Sequence, residues 1–349
     1  MLSRSQQWLQ RFAWFSAAAT LCLIGIGGVV TSKGVGMAVP DWPTTYGYNM
    51  FLFPVSQWVG GIFYEHTHRL VASFVGLLTT ILAAWLFFAD NRKWMRLLGV
   101  IAFFLVVFQG VLGGLRVTAM KDEIGIFHGT LAQLFFCLIC AITFFSSNWW
   151  RNVSFRSDEE AIKSAMPWFI VTTSIILLQL IIGASMRHQH SGLAVPDFPL
   201  AYGKWWPDLD PASLERYNQM RLDVRDYGNV TAPQIILHMT HRFIAVIILA
   251  LTAFCFWKSR GLELPLMVRR LVTSWALLIL TQATLGIATV LSKKAADIAT
   301  AHVVIGALSL AWGVLIVIAL KRVIWRDVPV ELQRQDQLLN ERGGQAFAA

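Results

Sequence analysis

Residues 36–47 read GMAVPDWPTTYG, and residues 192–203, 156 positions later, read GLAVPDFPLAYG. The echo continues beyond these stretches. His68-Arg69 and His241-Arg242, each preceded by threonine, lie 173 apart. Gln109 and Gln282 keep that offset, as do Leu112-Gly113 and Leu285-Gly286, while His128 and His302 are 174 apart. Chance similarity does not hold register over so much chain, so the sequence reads as a duplication. The change in offset from 156 to 173 places 17 extra residues in the second of two long loops.

Composition says where such a chain lives. Hydrophobic residues make up 56% of its 349 positions and charged ones 14%, with a mean hydropathy of +0.56. Long apolar runs at that density are membrane spans of ~20 residues each. Eight are expected, over 10–31, 66–89, 96–118, 125–146, 165–187, 235–257, 270–292 and 297–320. The first is too long for a signal peptide and lacks a convincing cleavage site, so it is kept as a span. Four spans per repeat is an even number, so both halves enter the membrane in the same sense. The expected fold is therefore an all-α integral membrane protein built as two pseudo-symmetric four-helix bundles, a parallel repeat. The first bundle takes residues 1–150, the second 151–325, and 326–349 form a polar cytoplasmic tail.

Basic residues orient the spans. With the N-terminus inside, 17 of the 29 Lys and Arg fall on the inner side, among them Arg92, Arg151, Arg156, Lys258 and Arg270. The basic balance thus reflects topology rather than nucleic-acid binding, since no soluble basic domain is present to carry it. All four cysteines (Cys22, Cys137, Cys140, Cys255) fall within spans. The Cys137-x-x-Cys140 pair is read as packing, because thiols in hydrocarbon behave as small apolar groups.

The four repeated histidines, His68, His128, His241 and His302, each open an even-numbered span near the outer surface. An ionisable side chain there is costly unless it has a partner. Two imidazoles from two helices can face each other across each bundle, His68 with His128 and His241 with His302. Zinc and copper sites recruit cysteine, carboxylate or a third histidine, whereas two imidazoles across an apolar core suit six-coordinate heme. Arg69 and Arg242 are then candidates to pair with propionates at the outer edge. Glu65 stands three residues before His68, on the same helical face. The residue 173 positions on is His238, so one half has an acid where the other has a base. Arg69 is expected to turn away from this face. His66 is expected to face head groups or the loop; His188 and His190, in Arg-His-Gln-His, are expected to be exposed loop residues, more often without a role than binding a stray metal. The proline-flanked loops are expected to lid each bundle mouth, with Trp42, Tyr46, Phe198 and Tyr202 at the membrane interface.

E-x-x-H-R opening the second span, H-R opening the sixth, single histidines opening the fourth and eighth, and the duplicated design together resemble heme A synthase. The resemblance covers all eight spans. It implies an oxidoreductase of cytochrome oxidase assembly that converts the C8 methyl of heme O to a formyl group through a hydroxymethyl intermediate. It also implies that His68 and His128, with Arg69, hold the substrate heme, that Glu65 is the catalytic acid, and that His241 and His302, with Arg242, hold a heme b cofactor, each histidine binding heme iron. The chain departs from one branch of the family by lacking a cysteine pair in an outer loop. It also has Gly-Val-Val-Thr-Ser-Lys at 28–33 where relatives place an arginine near Thr31. The partners implied are the lipid bilayer, heme O, heme O synthase, an electron-transfer protein and further copies of the chain as a homo-oligomer; no nucleic acid is implied. Without an Arg/Ser-rich presequence, the expected location is a bacterial cytoplasmic membrane, with both termini cytoplasmic and the heme sites toward the outer face. Two rivals stay open on these grounds. A di-heme b electron-transfer cytochrome explains the four histidines equally well but not the Glu65/His238 difference. A transporter fits parallel repeats, yet few charges lie deep in the spans.

Overall fold

The computed structural model describes residues 3–153, 158–221 and 228–324. The tail expected over 326–349, and Arg156, lie outside the described residues. Among those described there is no strand, only helix and loop. The first half contains α1 (Arg4–Ser32), α2 (Gly60–Ala89), α3 (Lys93–Thr118) and α4 (Asp122–Phe145), followed by the short α5 (Asn148–Asn152). The second contains α6 (Glu159–His188), α7 (Pro211–Met220), α8 (Ala232–Arg260), α9 (Leu266–Leu291) and α10 (Ala296–Ile324). All but α5 and α7 are long and apolar enough to cross a membrane, making eight spans.

Start signals are local. Ser3 and Gln6 form a capping box at α1, Asp158 caps α6, and Thr231 and Gln234 form a second box at α8, each satisfying amides that a helix start leaves without partners. α2 begins at Gly60, six residues earlier than the hydropathy predicted, because Gly61 packs against Val35 and Ala38 of the preceding loop. His68 therefore sits about two turns below the helix start rather than at its mouth.

Neighbour relations in one half reappear in the other. α1 packs on α2, α2 on α3, and α3 on α4; α6 packs on α8, α8 on α9, and α9 on α10. Across the middle, α1 lies on α10, α4 on α6, and α4 on α10. The seam is apolar: Phe136 and Cys137 of α4 belong to the same buried cluster as Phe169, Trp275, Leu310 and Ala311 of the second half. Cys137 and Cys140 pack there as free thiols, and Cys22 is exposed.

The end away from the histidines is fastened by Asp90. Its carboxylate accepts from Arg92 at 2.6 Å and lies 3.4 Å from Arg151, while Arg92 also donates to the Phe145 carbonyl. Burial acts to raise the Asp90 pKa, but the Arg92 hydrogen bonds and charges outweigh it and hold it below the usual range. The stabilisation is therefore complete above pH ~4 and disappears as pH falls through the depressed value. Asp90→Ala, which takes the shared carboxylate from Arg92 and Arg151, is expected to cost about 3 kcal/mol, seen as a lower melting temperature in detergent.

Candidate functional site: two facing histidine pairs

The loops at 36–47 and 192–203 share one hydrogen-bond plan. Asp41 accepts from the Tyr46 amide at 2.8 Å and the Gly47 amide at 2.9 Å; Asp197 accepts from Tyr202 and Gly203 at 2.8 and 3.0 Å. Tyr46 donates its hydroxyl to Ala38, and Tyr202 to Ala194. Tyr46 and Gly47 have φ of 49° and 80°, and Tyr202 and Gly203 have 54° and 77°. Two successive left-handed residues make the type I′ turn that closes a tight hairpin, which is why Tyr-Gly recurs. Burial works to raise the Asp41 pKa, and the bonds from Gly47, Thr44 and Tyr46 outweigh it, so the carboxyl titrates below its ordinary value.

Each loop is gripped from below by the arginine that follows a histidine. Arg69 donates to the carbonyls of Val39, Asp41 and Thr44 at 2.7, 2.7 and 3.0 Å. Arg242 donates to those of Val195, Asp197 and Leu200 at 3.2, 2.7 and 3.1 Å. These are the same three positions in each loop. The expectation that Arg69 turns away is thus corrected: it is buried, with its donors spent on backbone. Glu65 belongs to the same clamp, accepting from Arg69 at 2.7 Å and from the Val39 amide at 2.9 Å. The acid is 3% exposed and paired, not a lone carboxylate beside His68. His238, in the matching place, contacts the Ser191 carbonyl through Nδ1 at 3.1 Å. Arg69→Ala strips three carbonyls and Glu65 of their donor, so limited proteolysis between residues 36 and 59 is expected to speed up at least tenfold (about 1.4 kcal/mol for each factor of ten).

His66 is fully buried beneath the first loop, 3.2 Å from the Thr45 hydroxyl and between Phe53 and Trp58; the head-group alternative is excluded. His188 is also corrected. Its side chain is 9% exposed and rests on Gly125 of α4, with Nδ1 3.7 Å from Asp122. A side chain at Gly125 would collide with that ring, since a Cβ there would lie 2.3 Å from His188 Cε1.

In the second half the structure brings His241 and His302 together, with ring centres 6.4 Å apart and planes inclined at 67°. In the first, His68 and His128 are neighbours close enough to interact electrostatically. Four glycines flank the four rings. A Cβ at Gly27 would lie 3.1 Å from His68 Cε1, at Gly113 3.4 Å from His128, at Gly183 3.3 Å from His241, and at Gly286 3.2 Å from His302. The pairs Gly27/Gly183 and Gly113/Gly286 keep the offsets of 156 and 173, a signal that the histidines alone do not carry. Glutamines tether the same segments: Gln109 donates to the His128 carbonyl at 3.1 Å and Gln179 to that of His241 at 2.8 Å, while His302 Nδ1 contacts the Gln282 carbonyl at 3.2 Å.

A heme fits these residues. Metal–imidazole bonds of about 2 Å on opposite sides of one iron, plus about 1 Å from each nitrogen to its ring centre, separate two axial imidazoles by ~6 Å, and the second pair stands at that separation. Nδ1 of His68, His128 and His241 is buried without a hydrogen-bond partner, a state native interiors rarely leave unexplained. Among the described residues, no group of three or more histidine, cysteine or acidic side chains gathers as a metal site.

Eight spans carrying two repeated histidine pairs under matched loops, with His241 facing His302 in the second, define a membrane protein with residues suited to hold heme. The chain belongs to the COX15-CtaA family, cytochrome oxidase assembly protein, whose model matches residues 10–314. It is 29% identical over 215 residues to a protein of Shouchella clausii named heme A synthase, covering 58% of this chain and 66% of that relative, just under two thirds of its length. It is 24% identical over 324 residues to the heme A synthase of Shewanella oneidensis, covering 84% and 90%. With the heme A synthase of Alkalihalophilus pseudofirmus it shares 25% identity over 304 residues, 85% and 92% of the two chains.

Proposed function

We propose that this protein is a heme A synthase, oxidising the C8 methyl of heme O to a formyl group, with heme O between His68 and His128 and heme b between His241 and His302. The division into a substrate bundle (1–150) and a cofactor bundle (151–325) is part of the same proposal. The observation that carries it is a single asymmetry within a repeated design. Loops, clamping arginines, histidines and facing glycines match in both halves, while Glu65 and His66 of the first are His238 and Met239 in the second. A pure electron carrier gives no reason for that difference. Membership of the family supports the reading, as do relatives bearing the enzyme's name over 90% and 92% of their length.

On this reading heme b supplies electron transfer when bound. The protein's own residues do the rest. His68 and His128 would fix the substrate by its iron, so that the porphyrin cannot rotate and one edge stays presented. Arg69 would hold the first loop over that edge and exclude bulk water. Glu65 is the residue placed to move a proton or to meet positive charge developing at the substrate edge. Its bond to the Val39 amide ties that acid to the loop, so loop closure and placement of the carboxylate are one event. The bacterial cytoplasmic membrane, outward-facing sites, heme O synthase, an electron-transfer protein and self-association belong to the proposal as well.

Glu65→Gln tests it. The side chain keeps its size, and its one remaining acceptor oxygen can serve Arg69 or the Val39 amide, though not both as Glu65 does through Oε1 and Oε2. The histidines are untouched, so heme content should stay within twofold of the parent. Conversion of heme O should fall about 100-fold or more, the span of acid–base contributions, measured as heme A formed in cells supplied with heme O. Unchanged conversion would remove Glu65 from the chemistry.

A further inference from the structure

The sequence places Arg69 and Arg242 as propionate partners, but their donors are largely spent on loop carbonyls. Two other arginines donate fewer bonds, although Arg242 too keeps a buried Nε without a partner. Arg116, near the end of α3, donates one bond to Asp122 at 3.1 Å, and its Nε is buried without a partner. Arg187, near the end of α6, crosses to α1, donating to the Gly28 carbonyl at 2.6 Å and to the Ser32 hydroxyl; its Nε is likewise buried and unpartnered. Among the described residues, no carboxylate lies within ion-pair distance of Arg187.

Their positions divide between the two sites. Arg116 is within electrostatic reach of His68 and His128, and Arg187 of His302. The two guanidinium groups also feel each other across the seam. A buried guanidinium that keeps an unpartnered N–H is unfavourable unless an acceptor joins it, and a buried cation without a carboxylate, as Arg187 is, favours an anionic one. Guanidinium groups with free N–H donors take up carboxylates in paired, charge-assisted hydrogen bonds.

We propose that Arg116 and Arg187 are the carboxylate anchors of the two sites, Arg116 binding a propionate of the porphyrin between His68 and His128, and Arg187 one of the porphyrin between His241 and His302. The assignment rests on the heme reading above. It adds that both porphyrins point their acidic edges toward the seam between the halves, with the anchors side by side. The loop-clamping Arg69 and Arg242 would then orient the lids without binding the acids themselves.

The test compares dissociation of two probes from detergent-purified protein: protoheme IX, and its dimethyl ester, which lacks the acidic groups. Arg187→Leu should release protoheme from the second site at least tenfold faster than the parent, while Arg187→Lys keeps part of the retention. The dimethyl ester should leave parent and Arg187→Leu at equal rates. Where the lost anchor weakens the oxidised and reduced states unequally, a tenfold difference moves a one-electron midpoint by ~59 mV. Arg116→Leu should act in the same way at the first site. Parent protein that binds heme while Arg187→Leu retains protoheme normally would overturn the anchor alone. Equal acceleration for both probes would also overturn it, assigning the arginine to a lipid anion or to packing. Parent protein that takes up neither probe would bring down the heme reading and the anchor together.

Discussion

On the proposed reading, His302→Ala is expected to empty the second site, a loss that only His241→Ala should match in that half. The partner ring of His241 stands 6.4 Å away, centre to centre, so on that reading the two imidazoles together would hold one iron and neither would suffice alone. Removing residues that merely support a ligand typically costs 10–100-fold in metal affinity, so removal of the ligand itself should cost at least about 100-fold. The purified variant should show about half the parent's heme and lose the bis-imidazole spectrum of the second site. His241→Ala should do the same. The first site, on α2 and α4, should keep its own complement, since neither substituted residue belongs to those helices. Retention of a full bis-imidazole spectrum by either variant would show that the iron is held elsewhere.

Gly286→Leu is the second large effect, and it touches no ligand. A Cβ at this position already comes within 3.2 Å of His302 Cε1, and a leucine adds three further carbons on the same line. The ring must then leave its place opposite His241, because interiors have no slack for such a group. Heme retention by the second site is expected to fall at least tenfold, a factor equal to about 1.4 kcal/mol. Gly110, on α3, provides the control: nothing lies within 4 Å of a Cβ there, so Gly110→Leu should leave heme content unchanged. If both variants bind heme as the parent does, the glycines are incidental to the site.

Much of this was legible in the amino-acid sequence because its strongest signals are periodic. Hydropathy finds spans since hydrocarbon demands about 20 apolar residues, and all eight appear as helices. The constant offsets suggested the histidine pairs, and the structure places His241 opposite His302. What escaped depends on chain conformation rather than on residue type. Arg69 and Arg242 look like free cations in sequence, and only the folded loop turns three carbonyls toward each. His188 looks like a loop residue, but α6 runs to that position and seats its ring on a glycine 63 residues earlier in the chain. α7 is foreshadowed by Asp210-Pro211, a capping residue followed by proline at the first helical position, yet that signal is hidden inside a long polar loop. Its Tyr217 stacks on Tyr202 at 3.7 Å, so the extra length of the second loop braces the repeated turn.

A substrate heme in the first half and a resident heme in the second are tested most directly by extracting heme from the purified protein, followed by chromatography and mass determination. The expected result is heme b together with heme O, its hydroxymethyl form or heme A, the last three lost in His68→Ala and heme b lost in His302→Ala. Heme b alone at two per chain would contradict this division and make the protein a di-heme electron carrier.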